Sequence, residues 1–216
     1  MVAAAVVAIS RQFGSGGARV GLDVAQRLGF RYADREILAE AARALNMETD
    51  DLAPLEERVR GFWGTLAGMF SRGPVEGPYT PALPRISEAQ LFDAERQIIE
   101  ALSDRGGAVI VGRGAAHILR ERANVVRVFL HAPLQQRITV ALQEYSLENR
   151  AAAEALVRAS DSQRARFARA VTAHDWCDAT MYDISLNTAT TGFDRAAEII
   201  VGLVRERFRT ATSDKE

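Results

Sequence analysis

The sequence has few of the residues that would staple it covalently or bind a metal. Its one cysteine, Cys177, excludes a disulfide framework within the 216 residues and leaves no cysteine-based metal site. Its histidines, His117, His131 and His174, do not stand at metal-ligand spacing, so no metal ligand set is assigned. Charge of one sign is lacking as well. Lys and Arg number 27 and Asp and Glu 28, a formal net charge of −1, so the whole-chain balance carries no signal for nucleic acid. No apolar run approaches the roughly 20 residues that span a bilayer. The apolar start, Met1 to Ile9, is short, lacks a basic leader and reads as a buried strand rather than a signal peptide. A cytoplasmic protein without membrane attachment is expected. No Gly-x-Ser-x-Gly elbow occurs, which argues against a serine hydrolase.

What is present is a globular composition, 48% hydrophobic, enough for one sizeable core. Val2 to Ser10 predicts a central strand, continuous in apolar residues because both faces are covered. A helix follows over Ala18 to Leu28, with Val20, Val24, Ala25 and Leu28 at helical spacing and Gly29 as its stop. Short strands are expected at 30–33, 108–111, 125–130 and 181–186, with helices over 35–45, 87–104, 115–122, from Pro133 onward, 147–173 and 193–208. Residues 46–86 contain helical stretches and a proline-rich loop, and read as a flap or insertion. Strands alternating with helices imply a parallel sheet. In such sheets ligands sit beyond the carboxyl ends of the strands, where Gly14 to Gly17, Asp34, Gly112 to Gly114, His131 and Asn187 are all expected.

The segment from Val7 through Gly14-Ser15-Gly16-Gly17 to Ala18-Arg19 has the order strand, turn, helix start. Glycines let backbone N–H groups approach phosphate oxygens, and the helix N-terminus adds partial positive charge. Against the phosphate-loop pattern G-x-x-x-x-G-K-[ST], anchored on Gly16, Arg11 replaces the first glycine and Gly17 the lysine. Arg19, in the first helical turn, lies poorly with the helix dipole unless an anion is near. Arg19 or Arg11 is therefore expected to supply the missing lysine charge, with Ser15 as a hydroxyl ligand. The alternative is a glycine-rich turn without a ligand.

Four ordered blocks carry a resemblance. Ile9 to Gly17 with Leu28 to Leu38 is the first. Val109-Ile110-Val111-Gly112-Arg113-Gly114, Asp161-Ser162-Gln163-Arg164 and Tyr182 to Thr188 follow. Together they resemble the cytidylate kinase-like family of P-loop nucleoside monophosphate kinases. The resemblance implies a three-layer α/β/α fold with a parallel sheet of about five strands. It also implies a helical acceptor-binding flap and a lid over about 145–172. By this likeness ATP with Mg2+ is the phosphoryl donor and a small nucleotide the acceptor. Apart from the likeness, Phe62, Trp63, Met69 and Phe70 read as flap packing or a homodimer surface. Matched by position, Arg113 would hold the acceptor phosphate, and Asp161 and Arg164 would contact the acceptor ribose and phosphate. The chain departs from the family in having Gly114 where an acidic residue is usual, His131 where an aspartate is, and Arg35 and Glu40 at two acceptor positions.

Phosphoryl transfer needs positioned positive charge more than covalent catalysis, and arginine suits it. Catalytic roles are expected for Arg19, Arg113 and Arg164. Donor binding falls to Arg11, Gly14, Ser15, Gly16, Gly17, Ala18 and Arg19. Acceptor binding falls to Asp34, Arg35, Arg113, His131, Asp161 and Arg164. Asp34 serves equally well as a helix cap. Two further readings stand beside a nucleoside monophosphate kinase. One is a nucleotide-binding regulatory domain without turnover, suggested by the absent lysine. The other is a kinase of a non-nucleotide acceptor, suggested by the altered acceptor positions.

Overall fold

In the computed structural model the described residues are 4–35, 37–39, 41–42, 88–145, 147–172 and 174–209. The expected flap over 46–86, with Trp63, lies outside them. In chain order the elements are β1 (Val6–Arg11), α1 (Gly17–Leu28), β2 (Arg31–Ala33), α2 (Glu88–Arg105), β3 (Ala108–Val111), α3 (Ala115–Ile118), β4 (Val125–His131), α4 (Leu134–Glu144), α5 (Arg150–Thr172), β5 (Ile184–Asn187), α6 (Thr188–Thr191) and α7 (Phe193–Arg209). A helical stretch after Asp34 is described at residues 35, 37–39 and 41–42.

The strands form one parallel sheet in the order β2-β3-β1-β4-β5. β1 is central, which explains its unbroken apolar run: Val6, Val7 and Ala8 are fully buried and Ile9 is 1% exposed. It pairs Ile9 with Val111 on one side and Arg11 with Leu130 on the other. Helices flank the sheet, with α1 packed on α7. α7 buries one face, through Ala196, Ala197, Ile200, Val201 and Val204. A second apolar cluster joins α4 and α5 through Ile138, Ala141, Ala153 and Val157, and Phe13 of the glycine turn packs against it. Among the described residues no helix is long and apolar enough to cross a membrane.

Three boundaries differ from those the sequence predicts. β1 begins at Val6, and α3 is only four residues long. The last strand begins at Ile184 rather than Met181. The carboxylate of Asp178 accepts from the Thr180 amide and caps a 3-10 turn over Ala179–Met181. The Tyr182 hydroxyl donates to the Trp176 carbonyl at 2.6 Å, which holds the approach to the strand in that turn.

Candidate active site

The strand order puts the end of β1 between two groups of site residues. β3 and β2 carry Gly112, Arg113, Asp34 and Arg35 on one side. β4 and β5 carry His131 and Asn187 on the other, as Cα partners. β2 and β4 are three strand steps apart, about 14 Å. His131 is therefore separated from Asp34 and Arg35 by the glycine turn, and its ring stacks on Phe129 at 6.0 Å.

Gly14 and Gly16 have φ of +76° and +74°, a region that disfavours a Cβ. Space excludes one too. A Cβ on Gly14 would lie 2.6 Å from the Arg137 carbonyl oxygen, and one on Gly16 would overlap the Phe193 ring. α1 starts at Gly17 with no side-chain cap and no acidic residue in its first turn. The backbone amides of Gly14, Gly16, Gly17, Ala18 and Arg19 consequently have no acceptor among the described residues. Such a row of N–H groups at a helix N-terminus favours an anion.

Two neighbouring polar groups are used differently. Ser15 is fully buried and its hydroxyl donates inward, to the Gln12 carbonyl at 2.8 Å and the Leu130 carbonyl at 3.2 Å. It braces the turn from below. The Phe13 amide donates to Asp161 Oδ1 at 2.9 Å. The other Asp161 oxygen accepts from Arg137 Nη1 at 2.5 Å, and Arg137 also donates to the carbonyls of Ala132 (2.9 Å) and Phe13 (3.2 Å). Asp161 thus fastens α5 to the glycine turn. Arg137, which sequence reasoning passed over, is the buried hub of this fastening. Its place as the fourth residue of α4 gave no hint of burial; only the packing of α4 on the turn does.

The arginines divide sharply. Arg19 is exposed, pairs with Asp194 of α7 at 3.3 Å and lies over the Phe193 ring at 5.2 Å. The anion that reconciles it with the helix dipole is a carboxylate of the chain itself. Arg11 lays its aliphatic stem against Gly17 and carries Nη1 over Gly112, where a Cβ would overlap it. Arg113, at φ +51°, donates through Nε and Nη2 to the fully buried carboxylate of Glu95 on α2. Its guanidinium lies 4.7 Å from the Phe167 ring and 6.0 Å from that of Phe92. Arg164 sits over the Phe13 ring at 5.4 Å, and its buried Nη1 makes no hydrogen bond. An Asp161 oxygen is 3.9 Å away. Burial, then the charge of Arg11, pushes Arg164 down to about 9. Burial also lowers Arg11, offset in part by Tyr32 and Asp34. Asp34 Oδ1 accepts from the Ile37 amide at 3.1 Å, so the cap expected of it is present.

A fit to the cofactors follows. The open amides of the turn and of the helix start suit the phosphates of a nucleoside triphosphate. Among the described residues no group of three or more His, Cys, Asp or Glu side chains is placed to hold a metal. A magnesium ion would be held chiefly by phosphate oxygens and water, its usual arrangement with nucleotides.

Known structures share this architecture. An uncharacterised protein from Eubacterium ventriosum superposes with a TM-score of 0.69 at 18% identity, covering 93% of this chain and 98% of that one. A gluconokinase from Sinorhizobium meliloti superposes with a TM-score of 0.52 at 15% identity, covering 97% and 99%. The Thermus thermophilus protein TT1252 does so at 0.51 and 16% identity, covering 94% and 97%. At these identities the likeness is one of fold, the P-loop kinase α/β fold. No curated protein matches the sequence. The model of the cytidylate kinase-like family matches residues 6–190, from the first strand to the helix after the last. Fold and match together support nucleotide-dependent phosphoryl transfer as the class of chemistry, and the chain belongs to the cytidylate kinase-like family.

Proposed function

We propose that the protein transfers a phosphoryl group from ATP to a small acceptor, with a nucleoside monophosphate as the acceptor class. The observation that carries this is the row of unpartnered amides at Gly14, Gly16, Gly17, Ala18 and Arg19, at the end of the central strand. ATP, when bound, supplies the phosphoryl group. The five amides hold its phosphate oxygens, and the first turn of α1 contributes its dipole. Arg164 faces the turn from α5 and balances charge on the oxygens. Phe13, packed against the α4–α5 cluster, closes water out beneath it. The acceptor enters from the β2–β3 side, near Asp34 and Arg35, in line with the turn. α5 acts as the lid, and Asp161 sets its position by its bond to the Phe13 amide.

A second reading, nucleotide binding without turnover, is favoured by one observation. Neither Arg19 nor Arg11 brings its guanidinium onto the turn where a lysine would stand. One assay separates the two. ADP release is measured with ATP, magnesium and CMP, dCMP, UMP, AMP or GMP in turn. Release that depends on a nucleoside monophosphate supports transfer. ATP binding by calorimetry with no release on any acceptor supports the second reading, and no ATP binding refutes both.

A further inference from the structure

We infer that Phe193 is a positioning residue for phosphate binding: its ring, in the first turn of α7, keeps Gly16 in the left-handed conformation that aims the amides of the glycine turn at an anion. This rests on the nucleotide-binding turn proposed above and names the side chain that pre-organises it. Phe193 acts through Gly16, not on the nucleotide.

Gly16 caps α1 at φ +74° and ψ +24°, with no side-chain hydrogen bond at the cap. Its dihedrals join the turn to the helix, so the directions of the Gly16, Gly17 and Ala18 amides depend on them. Glycine visits positive and negative φ about equally, and its own sterics do not keep it at either. The surroundings must do so. Ser15 is tied below to the Gln12 and Leu130 carbonyls, and the Val20 amide donates to the Gly16 carbonyl at 2.9 Å. Both contacts act on groups beside the Gly16 Cα; Phe193 covers the Cα itself.

The ring stands where a Cβ would project from Gly16, with Cδ1 and Cζ 2.6 and 2.8 Å from that point. It therefore rests on the glycine within van der Waals reach, under about 4.5 Å. The ring is itself fixed from behind. Phe193 opens α7, is partly buried against the main core, and belongs to a helix that packs along α1. Arg19 lies over the ring at 5.2 Å and pairs with Asp194 at 3.3 Å. That pair is exposed and contributes little, so the bracing falls to the ring. Reorganising Gly16 would shift backbone packed under the ring and open that contact. Donors already held in place bind an anion more tightly than donors that must first be ordered. A turn competent about a tenth of the time without the ring binds about tenfold more weakly.

The test titrates the full chain in a calorimeter with two ligands in turn, inorganic tripolyphosphate and a non-hydrolysable ATP analogue, each with magnesium. Phe193→Ala should weaken both by about tenfold and by the same factor, since what is lost is the aim of the amides. Phe193→Leu, which keeps a side chain over Gly16, should recover most of that loss, and it carries the comparison with the unaltered protein if Phe193→Ala does not fold; a loss of about twofold or more for both ligands is then expected. Ile200→Ala is the control. It empties a fully buried site on the same helix, away from the turn, and should lower the urea midpoint at least as much while leaving both affinities within about threefold. Tripolyphosphate affinity unchanged in the Phe193 variants overturns the inference and leaves the phosphotransferase reading standing. So does an equal loss in Ile200→Ala, which would make Phe193 merely structural, or a loss confined to the ATP analogue, which would put Phe193 against the nucleoside. Unaltered protein that binds neither ligand removes both.

Discussion

Replacing Asp161 by alanine removes a carboxylate that hydrogen-bonds α5 to the glycine turn. Two bonds are lost, from the Phe13 amide at 2.9 Å and from Arg137 Nη1 at 2.5 Å, and the weaker approach of Arg164 at 3.9 Å goes with them. Hydrogen bonds to charged groups contribute about 1.5–3 kcal/mol each. The Asp161 side chain is 20% exposed, so its share sits at the low end, whereas that of Arg137 is 8% exposed and keeps only carbonyl partners at Ala132 and Phe13. The expected loss is about 3 kcal/mol for Asp161→Ala. Asp161→Asn keeps an acceptor for the Phe13 amide but not the charge, and should lose about half as much. Urea unfolding reads both as a lower midpoint at unchanged slope. A double-mutant cycle with Arg137→Met should show coupling of about 2 kcal/mol. A loss under about 0.5 kcal/mol for Asp161→Ala, or additivity with Arg137→Met, would refute the fastening and the lid position built on it.

Other outcomes follow from the same geometry. Gly16→Ala places a Cβ at φ +74° and into the Phe193 ring, so stability should fall by about 1–3 kcal/mol and nucleotide affinity with it, read by thermal melting and calorimetry. Arg19→Ala removes only an exposed pair with Asp194; unfolding free energy should move by less than about 1 kcal/mol and the ATP dissociation constant should stay within about threefold, and a large rise would restore Arg19 as the lysine substitute. His117 is held below its ordinary value of 6.5, first by burial, then by His174 and Arg120, against the opposing Asp178. The unfolded chain therefore takes up this proton more readily than the folded one. Stability should be full above about pH 6.5 and decline as pH falls toward the lowered folded value, and His117→Gln should flatten that decline in urea midpoints measured from about pH 7.5 to about pH 5.

Much of the site was legible because it is local. The glycine turn, the strand before it and the helix after it lie within residues 6–28, and their order alone predicts a row of amides facing an anion. The Asp34 cap is equally local, three residues from its partner at Ile37. Strand identity followed from apolar runs, and the edge rule for parallel sheets correctly assembled Gly112, His131 and Asn187 at one edge. Less legible was which partner a side chain keeps when the candidates are distant in sequence. Arg19 chose Asp194, Arg113 chose Glu95, and the Asp161 carboxylate chose the Phe13 amide.

Composition and spacing by themselves determined that this chain is a parallel α/β protein with a glycine-rich turn between its first strand and the helix after it. Periodicity and backbone chemistry act over a few residues, and the chain states them directly. Only the tertiary structure decided which guanidiniums pair with the protein's own carboxylates, as Arg19 does with Asp194 and Arg113 with Glu95. An arginine side chain reaches several candidate anions, and burial, which no linear pattern records, sets which of them it keeps.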